Sequence, residues 1–192
     1  LDKYPAGFTP DEASQGYDAY SLLKTGKDQW GKPWPLTFRS FGDFKLPVYT
    51  YLTIPSVGAF DLNEFSTRLP SALIGTLAIL TTYLLGAGLF GWKVGVVSAA
   101  LLALSPWHLP LSRGAFEANL TVLFASLGTW LFLKGLKQPK LLVISSVIFG
   151  INLFTYHSAR VFTPLLGLSL LFIYMGELRG LLKNSRNNLV CA

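Results

Sequence analysis

Charge is scarce in this chain of 192 residues. Asp, Glu, Lys and Arg make up 14% of it, against roughly 25% in an average soluble domain. Acids are scarcer still beyond position 67. Residues 68–192 contain only Glu117 and Glu177, against ten basic residues, whereas residues 1–67 hold eight acids and six basic residues. The net charge of +6 therefore resides in the apolar part of the chain. That placement argues against a nucleic-acid partner and for basic loops on the cytoplasmic side of a membrane. The single cysteine, Cys191, excludes an internal disulfide and a cysteine-based metal site. The two histidines, His108 and His157, lack carboxylates at ligand spacing, so no metal site is expected. Methionine occurs once, at Met175, and the chain opens on Leu1 with no signal-like segment. It reads as a piece lacking its N-terminus, and "LLKNSRNNLVCA" brings no closing element at the other end.

What is abundant is apolar run. "LPSALIGTLAILTTYLLGAGLF" holds 22 residues without a charge, enough helix to cross roughly 30 Å of hydrocarbon. Four further blocks follow: 94–111, 118–133, 141–156 and 161–175. The expectation is an all-α, polytopic membrane protein with about five transmembrane helices over 68–178 and a basic cytoplasmic tail over 179–192. Short connections make consecutive helices antiparallel. Lys93, then Lys134, Lys137 and Lys140, then Arg179, Lys183 and Arg186 fall at alternate junctions, which the positive-inside rule places in the cytoplasm. Residues 1–67 and the junctions near 113 and 158 then share the extracytoplasmic side.

Residues 1–67 are polar, aromatic and rich in turns. Within "FTPDEASQGYDAYSLLKTG", Thr9 and Glu12 fit a capping box with Pro10 at the first helical position. Ala13, Tyr17, Tyr20 and Leu23 recur at helical spacing, and Gly26 suits the C-terminal cap. "KTGKDQWGKPWPLTF" reads as irregular loop. "KLPVYTYLTIPSVGAF" suits a short helix lying at a membrane surface.

Several residues invite chemistry. Asp11 and Glu12 serve a helix start or act as a general base and its neighbour. Adjacent helical residues point about 100° apart, so the two would play different roles. Arg39, Asp43 and Lys45 stand among Phe38, Phe41, Phe44, Tyr49 and Tyr51, where rings can stack on sugars and cations can hold phosphate. The alternative is an amphipathic surface segment with snorkelling cations. Arg68 begins a helix against both the helix dipole and the charge rule, which suggests an anionic partner or snorkelling to headgroups. Arg113 and Glu117, four apart, can pair with each other. His157 and Arg160 can face one cavity.

Taken in order, "PAGFTPDEASQGYDAYSLLKTG", "FGDFKLPVYTYLTIP", "RLPSALIG", "LSPWHLPLSRGAFEA" and "TYHSARVF" resemble the protein O-mannosyltransferase family of integral-membrane glycosyltransferases, with the aminoarabinose transferases of lipid A as cousins. The resemblance spans nearly the whole chain. It implies a GT-C-like helical bundle fragment in the plasma membrane, its long first loop extracytoplasmic with short amphipathic helices. It implies transfer of a sugar, mannose in the main branch, from a polyprenyl-phosphate carrier to a Ser or Thr hydroxyl of a secreted protein, with inversion and without a cofactor. It makes Asp11 the catalytic base, with Glu12 beside it, and places Arg68 and Lys45 near the donor phosphate. Lys45 departs from the aminoarabinose pattern: Phe44 precedes it and Leu46 separates it from Pro47. Arg39, Arg113, His157 and Arg160 remain candidate substrate-binding residues. The alternatives are transfer to lipid A or another glycolipid, and a transporter or structural membrane protein whose acidic pair is only a cap. The partners implied are the lipid-linked donor, the acceptor and membrane lipids.

Overall fold

A computed structural model describes residue 1 and residues 7–190. Cys191 and residues 2–6 of the N-terminal segment lie outside the described residues. The fold is all-α apart from one small hairpin. In order it runs α1 (Pro10–Thr25), β1 (Phe38–Ser40), β2 (Asp43–Lys45), α2 (Pro47–Phe60), α3 (Glu64–Phe90), α4 (Trp92–Ala103), α5 (His108–Arg113), α6 (Ala118–Gly135), α7 (Lys140–Asn152), α8 (Ala159–Ile173) and α9 (Met175–Val190).

The local signals in the first 60 residues act as the sequence suggests. Thr9 and Glu12 form the capping box, and Gly26 closes α1 in the left-handed conformation at φ 69°. The following loop is irregular but tethered. Buried Asp18 accepts from the Gln29 backbone N–H at 3.0 Å, and Asp28 accepts from the N–H groups of Trp30 and Lys32. Trp34 stacks on Tyr51, whose hydroxyl donates to the Pro35 carbonyl at 2.8 Å. The hairpin was not apparent in the sequence. Its strands pair antiparallel with Phe38 opposite Lys45, turning through Phe41 and Gly42, both at positive φ. Two such residues make the hairpin turn whose twist matches its strands.

Beyond residue 60 the apolar blocks become helices, with one break. Block 94–111 divides into α4 and the short α5, separated at Leu104–Trp107, where Pro106 lacks an N–H to continue the helix. Among the described residues α3, at 27 residues, is the one helix long and apolar enough to cross a membrane. A second span exists if α8 and the start of α9, bent by 72°, count as one. The outer faces of the helices carry Leu77, Leu101, Val143, Leu168 and Phe172, all exposed.

Between helices the contacts are small and polar. Ser71 Oγ donates to the Leu111 carbonyl at 2.8 Å, and Asn119 Nδ2 donates to the Ser71 carbonyl at 3.0 Å. Ser145 Oγ reaches the Gly128 carbonyl at 2.7 Å, and Asn152 Nδ2 reaches Thr163 Oγ1 at 2.9 Å. At Gly95 an added Cβ would lie 2.8 Å from the Tyr83 carbonyl oxygen, so only glycine lets α4 approach α3 this closely. Small residues and interhelical hydrogen bonds are the packing mode of helices that cannot rely on apolar burial.

The N-terminal elements are fixed to this bundle at one point. Arg68, in the second turn of α3, is fully buried, as is Glu12. Arg68 Nε donates to Glu12 Oε1 at 2.7 Å and Nη2 donates to Oε2 at 3.0 Å, a bidentate pair. Glu12 Oε1 also accepts from the Ala115 backbone N–H at 2.9 Å, and Oε2 accepts from Thr9 N–H at 3.0 Å. Arg68 reaches further to the carbonyls of Leu1 and Gly7 and to Glu64. One carboxylate thus joins α1, α3 and the α5–α6 junction. Burial raises the Glu12 pKa, but the hydrogen bonds from Arg68, Thr9 and Ala115 outweigh it and hold the carboxyl below its ordinary range.

Arg68→Met should therefore destabilise the protein by about 3–5 kcal/mol, because it leaves Glu12 buried without its cation. Thermal unfolding in detergent measures this; a loss below about 1 kcal/mol would show that the pair does not anchor the fold. Since the Glu12 pKa is lowered on folding, its contribution is complete above the unfolded value of about 4.3 and disappears as pH falls through the folded one.

Candidate functional site

The helix start that carries Glu12 inward turns Asp11 outward. Glu12 has no exposed surface, while the Asp11 side chain is 65% exposed. The difference follows from the 100° step between neighbouring helical residues. Lys45, the last residue of β2, is buried and reaches Asp11 twice. Its Nζ donates to Asp11 Oδ1 at 2.9 Å and to the Asp11 carbonyl at 2.8 Å. The hairpin that positions Lys45 therefore also fixes the first turn of α1.

Asp11 and Lys45 stand at a cavity of about 520 Å³. Gln15 of α1, Asp43 of the hairpin, Trp107, Phe116, Glu117 and Tyr156 complete most of its wall. All the junctions expected on one side of a membrane converge here, those near 113 and 158 with residues 11–45. Among the described residues, two buried polar atoms in the wall have no hydrogen-bond partner, Gln15 Oε1 and Glu117 Oε2. Buried polar atoms are nearly always satisfied in folded proteins, so these two are free to meet a polar group entering the cavity. Burial pushes the Glu117 carboxyl up to about 7, against the opposing pull of Lys45, His157 and the Leu46 N–H, with the Asp11 charge adding to the rise.

Glu117 is the residue that sequence reasoning passed over. Four-residue spacing suggested a pair with Arg113, but the two make no ion pair and Arg113 is exposed. The break is Gly114 in extended conformation between them, which ends α5 and removes the helical spacing the pairing needs. The isolation of Glu117, as one of two acids beyond position 67, was the available signal.

The other candidates are dispersed. Arg68 lies behind α1, enclosed with Glu12, and does not face the cavity. His157 Nε2 sits 2.8 Å from the Phe44 carbonyl; a carbonyl only accepts, so this nitrogen carries the proton. Arg160 is exposed, with Nε 3.4 Å from the Leu153 carbonyl. His108 is buried beside the Gly75 carbonyl and Ser112. Arg39 covers the Trp30 ring at 5.2 Å and lines a different cavity, of about 630 Å³, on another face of α1. Among the described residues no group of three or more His, Cys, Asp or Glu side chains could hold a metal.

No solved structure matches the chain. Over 108 residues it is 29% identical to "Putative mannosyltransferase YkcB" of Bacillus subtilis (strain 168), a match that covers 56% of this chain and 15% of that protein. The family model of dolichyl-phosphate-mannose-protein mannosyltransferases matches residues 45–191, which take in Lys45, Glu117 and His157 and begin after α1. By that match the chain belongs to the dolichyl-phosphate-mannose-protein mannosyltransferase family.

Proposed function

We propose that the chain carries the catalytic cavity of a membrane glycosyltransferase. It moves a sugar, mannose by family, from a polyprenyl-phosphate carrier to a Ser or Thr hydroxyl with inversion. The observation that carries this reading is the cavity where exposed Asp11 meets Lys45 and Glu117, whose Oε2 is buried without a partner among the described residues. A hydroxyl is a poor nucleophile until a base accepts its proton. Of the two exposed carboxylates at that cavity, Asp11 and Asp43, Asp11 stands on the capped helix start against Lys45 and takes this role. As the hydroxyl oxygen bonds to the anomeric carbon, the bond from that carbon to the carrier phosphate breaks, and the phosphate leaves with the electron pair.

Inversion requires the base and the leaving group on opposite faces of the sugar. A sugar seated between Asp11 and Glu117 meets that condition. Glu117, neutral through much of its range near pH 7, donates a hydrogen bond to the departing phosphate, where charge develops. Lys45, paired with Asp11, orients the base, while His157 and Arg160 stand beside the cavity where they can reach the phosphate. Glu12 and Arg68 act at one remove: their buried pair fixes the turn that presents Asp11. The apolar outward faces of α3, α4, α7 and α8 and the polar links between helices support a multi-pass protein in a membrane. The cavity then lies on the extracytoplasmic side. A glycolipid acceptor is the second reading, since a lipid hydroxyl would meet the same base.

Two measurements test the roles, with the full-length protein in membranes, polyprenyl-phosphate-mannose as donor, and a Ser/Thr-rich peptide or a glycolipid as acceptor. Asp11→Asn should lower transfer by about 10²–10⁴-fold; it also lowers the unfolding temperature modestly, since buried Lys45 loses its carboxylate partner but keeps its bond to the Asp11 carbonyl, so transfer is compared at a temperature where both proteins are folded. Full transfer by this variant would exclude Asp11 as the base. With wild-type protein, transfer should fall as pH rises through about 7, as Glu117 loses its proton. Glu117→Gln, a permanent donor, should retain transfer and lose that fall. An unchanged pH profile in the variant would remove Glu117 from the mechanism.

A further inference from the structure

The cavity of about 630 Å³ takes no part in the chemistry above. We propose that it is an acceptor-docking site, which seats a bulky apolar side chain of an extended, neutral-to-acidic peptide whose hydroxyl is delivered to Asp11. This rests on the glycosyl-transfer reading of the neighbouring cavity and names its acceptor.

Position is the first argument. The two cavities share their dividing wall. Asp11 and Gln15 of α1 face one, while Ala13, Ser14 and Tyr17 face the other. The hairpin is divided likewise: Asp43 and Lys45 belong to the first cavity, and Arg39, Ser40, Phe41 and Gly42 to the second. A chain molecule lying across the first turn of α1 would reach both.

Chemistry is the second. The aromatic residues Phe8, Tyr17, Trp30 and Phe41 line the cavity and are all exposed, Phe41 at 78%. Most polar groups in the wall are already engaged. Trp30 Nε1 donates to the Arg39 carbonyl at 3.0 Å, and Gln29 Nε2 lies 3.3 Å from Ser14 Oγ, Asp18 Oδ2 and that same carbonyl. Two groups remain. Ser40 is 3% exposed, and its Oγ is buried without a partner. The Arg39 guanidinium lies over Trp30 with no ion pair. A hexose brings several hydroxyls, each seeking a partner, and this wall would leave most of them unsatisfied. An apolar side chain asks for none, and the peptide's carbonyls or an acidic residue meet Arg39 and the Ser40 hydroxyl. Among the described residues no acid lines the cavity, so an acidic side chain can meet Arg39 there.

The test is binding in the absence of any sugar donor, so that it does not depend on transfer. Fluorescein-labelled Ala-Thr-Phe-Glu-Ala and its Phe→Ser counterpart are titrated with the full-length protein in detergent, read by polarisation. The Phe peptide should bind more tightly than the Ser peptide. The double variant Phe41→Asn, Arg39→Gln should weaken it by about tenfold or more. Asn accepts the positive φ of position 41, and an unchanged unfolding temperature shows that the hairpin is intact. Equal affinity for both peptides, or no loss in the double variant, overturns the proposal. So does displacement of the Phe peptide by mannobiose or by anionic phospholipid vesicles, which would mark a sugar or lipid site. Intact transfer with unaffected binding would sink this docking site and leave the catalytic reading standing. Weakened binding without any transfer would do the reverse.

Discussion

The ion pair between Glu12 and Arg68 is the interaction on which the arrangement of this protein rests. Both partners are fully buried, and the carboxylate accepts from Arg68, Thr9 and Ala115 at once. Taking two charges out of water is costly, and only good geometry with satisfied lone pairs offsets it. Here the geometry is bidentate, and the spare lone pairs go to backbone N–H groups. The pair specifies where α1 sits against α3, and Gly16 completes the fit: an added Cβ there would lie 2.6 Å from Thr67 Oγ1. Everything that lines the two cavities depends on that placement, because α1 is the wall between them.

The acidic pair thereby divides its labour. Glu12 gives up exposure to organise the fold, and Asp11 keeps exposure to meet a substrate. A capped helix start and a catalytic position are the same feature seen from two sides. The cap fixes the backbone of the first turn, the hairpin lysine fixes it again from outside, and the carboxylate between them is held at the cavity mouth. Preorganisation of this kind matters for proton transfer, since a base must lie within hydrogen-bond reach of the proton it accepts.

Electrostatics around the cavity follow from burial more than from charge count. Glu117 is one carboxylate among several basic neighbours, yet its pKa moves up, because its burial exceeds what Lys45 and His157 return. Glu12 is fully enclosed and still moves down, because its donors are in contact with it. The two acids show how the same residue type becomes a structural anion in one place and a titrating group near pH 7 in another.

Local features were legible in the sequence because they depend on near neighbours. The capping box, Gly26 at the end of α1, the irregular loop, the helix over 47–60 and the apolar runs are all of this kind. The ordered motifs pointed to the family that the comparison then showed. Membership of the pair was legible; its orientation was not. Which of Asp11 and Glu12 is buried is decided by Arg68, 56 positions away, and by Ala115, 103 positions away. Spacing alone paired Arg113 with Glu117, and the extended Gly114 undid it. Nor could composition show that Lys45 closes on Asp11 through a hairpin, or that Arg39 faces a separate cavity. The sequence by itself determined the helical class, the capped start of α1, the charge asymmetry and the family. The tertiary structure alone decided which charges are enclosed, since burial is set by contacts between segments that no local pattern records.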